Sequence, residues 1–488
     1  MLTPLRANQW DPAKAAHLLN RAGFGGTPEE IEDLHRLGLE KGVEHLLNGP
    51  EDAGQFPKPE GIASKDFLKM RMEMQALPEA ERTEKRKMMQ QEERHQDLDL
   101  VDWWTHRMLR TPNPLREKMT LFWHGHFATS VQKVKRAYLM WQQNETLRRN
   151  ALGDFQVLVK EISRDPAMMF YLDTQQSKKD HPNENFAREL MELFTLGIGN
   201  YTEEDIQQAA KAFTGYKLDP TNGTFRFAPF QHDEGPKKFF GKTGNFGGDE
   251  IIGMILQKPA CARFITKKIW SFFAYENPSP ALVDSLAQTF HSQKFAIRPL
   301  LREIFRSAEF YSPASVRTQI KSPIQWMMQT AKILDTDIPQ GFVMINSLRQ
   351  LGQVPFAPPN VKGWDGGKAW ITTSTLLLRY NLANFALGQG PINLQRGRLV
   401  AGQNNQGPGR EVRTQAPPDF QRVAPEPIRS DSAKLVDYLC WRLYQTELKP
   451  EEKAQFVEFL HNKPAPINDE TLRDLLHLMM STPQYQLT

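Results

Sequence analysis

Thr202-Glu203-Glu204-Asp205-Ile206-Gln207-Gln208-Ala209-Ala210-Lys211-Ala212-Phe213-Thr214-Gly215 spells an amphipathic helix with its own punctuation. Thr202 offers an N-cap oxygen and acids crowd the first turn. Ile206, Ala209, Ala210 and Phe213 recur at helical spacing, and Gly215 ends the run. Working outward, Pro182-Asn183 opens the preceding helix and Asp165-Pro166 the one before it, each followed by apolar residues three and four apart. Capped helices in succession predict helix-on-helix packing. The core is expected over residues 98–215, where aromatic and apolar residues are densest.

Toward the N-terminus, Thr27-Pro28-Glu29-Glu30 supplies a cap, a first-turn proline and a reciprocal glutamate. Ile31, Leu34 and Leu37 follow, Gly38 closes the helix, and Val43, Leu46 and Leu47 mark a second short one, so the chain begins as a helical hairpin. Residues 50–66 read as a loop and residues 67–89 as one long polar helix. Toward the C-terminus the period changes. Thr224-Phe225-Arg226-Phe227 alternates and Lys238-Phe239-Phe240 follows a polar turn, which predicts one small β-hairpin near residues 222–242. Helices return from residue 249, with Ser322-Pro323 as a cap pair. Residues 352–374 hold prolines and glycines that exclude regular helix and predict an ordered or functional loop.

These signals predict a mainly α protein: a large multi-helix domain with one small β-hairpin and irregular Pro/Gly-rich loops. The expected division is an N-terminal unit (1–97), a helical core domain (98–387), a flexible insertion (388–430) too poor in apolar residues to pack, and a C-terminal helical unit (431–488).

The 488 residues suffice for a sizeable core. Lysine plus arginine exceed aspartate plus glutamate by 61 minus 57, or 4, and the signs are interspersed, which argues against a nucleic-acid partner. Cys261 and Cys440 are the chain's two cysteines, too few for a disulfide framework or a thiolate metal cluster. Residues 1–10 lack the pattern of a secretory signal, and no window approaches the length of a membrane span. The chain as given therefore reads as soluble and cytoplasmic, or as periplasmic or exported where a signal has been removed.

Four constellations are chemically eligible. Trp123-His124-Gly125-His126 ends a helix begun near Pro114, and two imidazoles so close suit a divalent metal; equally, one packs in the core while the other faces solvent. Asn183-Glu184-Asn185-Phe186-Ala187-Arg188-Glu189-Leu190-Met191-Glu192 places Glu184, Arg188 and Glu192 in one helical row and Asn185, Glu189 and Glu192 in the next. Carboxylates at the border of an apolar face suit acid–base chemistry, whereas an arginine among acids also makes a structural ion-pair ladder. Gln231-His232-Asp233-Glu234-Gly235 is placed in the turn of the hairpin, as a functional loop or a stabilised turn. The loop over residues 352–374 carries Trp364 and Trp370, which suit a sugar ring or pack against the helices.

At these residues the chain resembles a large bacterial family known as domain of unknown function 1800. The resemblance lies in Leu18-Leu19-Asn20-Arg21-Ala22-Gly23-Phe24-Gly25, residues 121–127, residues 182–215, His232-Asp233, and residues 358–364. It implies a helical fold and often an exported protein, sometimes with a twin-arginine signal and a neighbouring sulfatase-like gene; it implies no activity. The functional expectation is a helical, metal-assisted hydrolase of a polysaccharide or similar polymer. His124, His126 and His232 are its candidate metal ligands, and Glu189, Glu192 and Asp233 its catalytic carboxylates. Asn183, Glu184, Arg188, Trp123, Trp364 and Trp370 are assigned to the substrate. The rival expectation is a non-catalytic binding or assembly protein of the cell envelope.

Overall fold

The computed structural model describes residues 1–52, 54–64, 66–389 and 416–488. Among them, 22 helices stand against two antiparallel two-stranded sheets, so the protein is mainly α. The local punctuation sets the helix ends. Thr27 and Glu30 form a reciprocal capping box at the start of Pro28–Leu47, a helix interrupted at Gly38 (φ 77°). Thr202 and Asp205 do the same for Glu203–Ala212. The side chains of Asp165, Asn113 and Ser322 cap Pro166–Tyr171, Pro114–His126 and Pro323–Leu334.

The polar stretch 67–89 differs from its expectation. It is two helices, Phe67–Ala76 and Glu79–Arg110, because Pro78 removes a backbone donor and Leu77 before it is held extended. The second helix runs straight through residues 97 and 98, and its buried positions begin at Gln96.

The two sheets also refine the hairpin expectation. Phe225–Phe227 pairs with Tyr216–Leu218, and Lys237–Phe239 with Lys242–Gly244, so the two strand segments foreseen never pair with each other. The reason is local: Phe240 and Gly241 both have positive φ, which makes a two-residue turn whose twist suits the strands beside it. Residues 231–235 therefore connect two hairpins rather than forming the turn of one.

The apolar side chains gather in two cores. One unites Pro12–Ala22 and Pro28–Leu47 with the helices from Phe155–Ser163 to Ile297–Arg306. The other unites the inner half of Glu79–Arg110 with Pro323–Leu334, Gly341–Leu351, Thr373–Ala386, Ser432–Tyr444 and Asp469–Met480. Helix Pro114–His126 lies between them, giving Leu115, Met119, Phe122 and Trp123 to the first and Leu121 to the second. Cys261 belongs to the first core and Cys440 to the second.

Residues 390–415 of the expected insertion lie outside the described residues. Its far flank packs, contrary to the compositional expectation. Phe420–Val423 buries Phe420 and Val423, and the buried Arg429 holds the turn after it by donating to the carbonyls of Phe420 (2.6 Å) and Ala424 (2.7 Å).

Candidate functional site

Helix Pro114–His126 ends in a short His124-Gly125-His126 run whose two imidazoles point into different cores. His124 is buried, and its Nε2 accepts a hydrogen bond from the Phe356 backbone N–H at 2.9 Å. Trp104, Phe356 and Trp364 surround the ring. Burial pushes its pKa down to about 3, so the imidazole is neutral and Nε2 carries no proton. The loop over residues 352–370 is thereby pinned to the helix. Phe356 also returns its carbonyl to the Val131 N–H (2.8 Å), and Gly363 (φ 89°) lies so close to the Gly125 carbonyl that a Cβ would collide with it. Trp364 is half-buried over His124, whereas Trp370 is buried against Gly352. Trp123 is wholly buried and donates its indole N–H to the Ala151 carbonyl (3.0 Å).

His126 faces the other way. Its Nε2–H donates to the Phe194 carbonyl at 2.9 Å, while its buried Nδ1 has no hydrogen-bond partner. Burial, with Lys268 beside it, lowers its pKa well below the ordinary value. The accepting carbonyl belongs to a π-helical turn, Leu190–Thr195, that follows Asn185–Glu189 directly. A π-turn shifts the backbone hydrogen bonds by one residue and is often found at functional sites. Here His126, the Thr195 hydroxyl on Leu190 O (2.5 Å) and Lys268 near Leu193 O (3.5 Å) hold it.

The turn carries Glu192, and Glu189 is the helical residue directly before it. Glu189 and Glu192 are half-buried. Burial and the charge of Glu192 raise the Glu189 pKa, and Arg188 opposes them. The Glu189 charge in turn acts on Tyr171, and the Tyr201 hydroxyl donates to Glu192 at 2.9 Å. Arg188 forms the ladder foreseen as its structural alternative. It pairs with Glu184 (3.2 Å) and, through both terminal nitrogens, with Glu203 (2.9 and 2.8 Å). Asn183 turns its side-chain oxygen onto the Asn185 N–H (2.9 Å) and so opens the helix.

His232 and Asp233 are organised by Thr214. The imidazole Nδ1 lies 2.9 Å from the Thr214 carbonyl, and the Asp233 N–H donates to the Thr214 hydroxyl (2.8 Å). The Asp233 carboxylate accepts from the Gly235 N–H (2.8 Å), and the buried Lys237 ammonium ties the carbonyls of Asp233 (2.6 Å) and Gly235 (3.0 Å).

Asn183, Glu184, Arg188, Glu189 and Glu192 therefore share one surface, and His126 braces it from beneath. The metal expectation for His124, His126 and His232 fares differently. The three imidazoles make separate anchoring bonds to Phe356, Phe194 and Thr214. Among the described residues no group of three or more His, Cys, Asp and Glu side chains could hold a metal ion, so this donor set does not fit one. Tyr171, Tyr201 and Glu203 were missed; the signal was available for Tyr201, an aromatic directly before the Thr202 cap. Among the described residues no helix is long and apolar enough to cross a membrane.

No curated protein and no solved structure matches the chain. The sequence pattern of one family runs through nearly all of the elements described above, from the buried face of Pro12–Ala22 to the last turn, matching residues 17–487, and on that match the chain belongs to the family of proteins of unknown function DUF1800.

Proposed function

We propose that the protein is a hydrolase of a polysaccharide or similar polymer that works by carboxylate acid–base chemistry at Glu189 and Glu192. The observation that supports this reading is the carboxylate pair itself. Glu189 is half-buried with a raised pKa, directly before a π-turn that is braced from within the core and carries the second carboxylate, Glu192, held by Tyr201. A carboxyl whose proton affinity is raised, with a second carboxylate beside it, suits acid–base chemistry. In its protonated form Glu189 gives its proton to the leaving-group oxygen, and Glu192 takes one from the attacking water. Tyr171 and Tyr201 flank the pair as apolar faces for a sugar ring.

The test is a screen of soluble and insoluble polysaccharides for new reducing ends. Glu189→Gln is expected to lower kcat by roughly 10²–10⁴ and to leave the fold intact. Activity is expected to fall as pH rises through the Glu189 pKa, because the acid must be protonated. Turnover unchanged in Glu189→Gln sinks the mechanism.

A second reading, a non-catalytic binding or assembly protein of the envelope, is favoured by one observation: Arg188 is committed to Glu184 and Glu203. It predicts binding of a polymer or an envelope protein without turnover, weakened by Glu203→Ala and insensitive to Glu189→Gln.

A further inference from the structure

Helix Pro259–Phe273 meets the end of Pro114–His126 through the rings of Phe264 and His126, whose centroids are 6.5 Å apart. Gly363 closes on Gly125 at the same helix end, and Val361 packs against the first core, which brings Lys362 beside Pro259–Phe273. Lys268 stands there, one turn after Phe264. It is half-buried, with its ammonium 5.1 Å from the centroid of the Phe264 ring. Its hydrogen bond to the Leu193 carbonyl is 3.5 Å long, at the limit of such a bond. The charge that acts on it is the like charge of Lys362, and no carboxylate pairs with it among the described residues.

Other lysines in desolvated surroundings differ from it in access or in commitment. Lys118 and Lys321 are buried, the first donating to the Gln325 side-chain oxygen and the second lying 4.0 Å from the centroid of the Tyr485 ring. Lys237 is buried as well and ties two backbone carbonyls. Lys217 is half-buried, but it donates to the carbonyls of Gln175 (2.8 Å) and Ser177 (2.9 Å). Lys268 alone among these combines partial exposure with an amine that holds no short hydrogen bond.

An amine is nucleophilic only without its extra proton, and a desolvated setting beside another cation favours that form. Burial, with Lys362 beside it, pushes the Lys268 pKa down to about 8. We propose that Lys268 is a reactive amine that takes up the aldehyde or ketone group of a small ligand as a Schiff base. The nitrogen lone pair attacks the carbonyl carbon, the C–N bond forms, and the carbonyl π pair moves to oxygen. The nitrogen then gives up two protons and the oxygen leaves with two as water, which completes the C=N bond. The Phe264 ring beneath the amine offers the ligand an apolar face. The site stands independently of the reading given to Glu189.

The experiment is labelling of the full chain with glyceraldehyde and cyanoborohydride, which reduces the imine to a stable secondary amine, read site by site by peptide mass spectrometry. The quantity measured is the rate at Lys268 divided by the rate at the exposed Lys434, so that the reagent's own pH dependence cancels. At pH 7 this ratio is expected to be about ten or more. It is expected to fall as pH approaches 10, where an ordinary lysine also loses its proton. Lys362→Glu, at an exposed position, places a carboxylate beside the amine and is expected to lower the ratio at pH 7 by about threefold or more. A wild-type ratio of one or below at pH 7 overturns the proposal, as does a ratio that does not fall toward pH 10 or that Lys362→Glu leaves unchanged.

Discussion

Two regions of this protein bury charge to a similar depth and treat it in opposite ways. In the first, Arg107 and Arg148 share Glu117. Arg148 meets it at 2.5 and 2.9 Å and Arg107 at 3.1 Å, while Asp52 takes Arg107 at 2.7 Å and Glu145 takes Arg148 at 2.5 Å. The Trp104 indole and the Thr111 hydroxyl fill further acceptor positions. Burial would raise the Glu117 pKa, but the two arginines and Trp104 outweigh it and hold the group below the ordinary carboxylate range. In the second region, Arg21, Lys118, Lys321 and Arg379 face carbonyls, amides and rings. In the first region buried cations meet buried carboxylates; in the second they meet neutral partners, so the two regions answer differently to the loss of a charge.

The largest effect is expected at the first region. Glu117→Gln leaves two buried guanidiniums short of their shared partner and is expected to cost about 3–5 kcal/mol in chemical denaturation; a loss below about 1 kcal/mol would erase the contrast.

Lys118→Met should act in the opposite direction, stabilising the protein by about 1–2 kcal/mol at pH 6 in chloride buffer. That advantage depends on pH with a definite sign. The folded pKa of Lys118, about 7, lies below the ordinary 10.5, so between these values the unfolded chain binds the extra proton. Wild-type stability therefore rises with pH across that window, and the advantage of Lys118→Met shrinks from pH 6 toward pH 10; a constant difference would refute the assignment. Glu117 gives the complementary limb, because its stabilisation is lost as pH falls through its lowered pKa, so Glu117→Gln flattens the acid side of the profile.

The smallest effect is expected at Glu189→Gln, within about 0.5 kcal/mol by thermal unfolding. Its half-buried carboxyl belongs to neither network, so a large loss of stability would place it with Glu117 instead.

What the sequence made legible was whatever the backbone settles locally. The Thr27 and Thr202 capping boxes, the break at Gly38, the helix after Pro114 and the irregular run after Gly352 stand where the residues predict them. Within the expected row of Glu184, Arg188 and Glu192, Arg188 bonds to Glu184 one turn away at 3.2 Å. The π-turn was invisible, because the apolar pattern from Leu190 to Phe194 reads as ordinary helix until the His126 imidazole at the Phe194 carbonyl is seen. Distant pairings were equally hidden. His124 finds its partner in Phe356 and Arg107 finds Asp52 only after the chain has folded, and nothing near either residue announces it. Lys118 was hidden too, because it follows Arg116 and Glu117 in a polar stretch that reads as a solvated face.

The two thiols sit in different cores, both buried, with their pKa values pushed up by that burial, Cys440 to about 11. Neither can reach the other or present a thiolate to an oxidant while the chain is folded. Oxidation of either thiol therefore waits on an opening of the core around it, so reactivity toward a thiol reagent reports the local unfolding of each core separately.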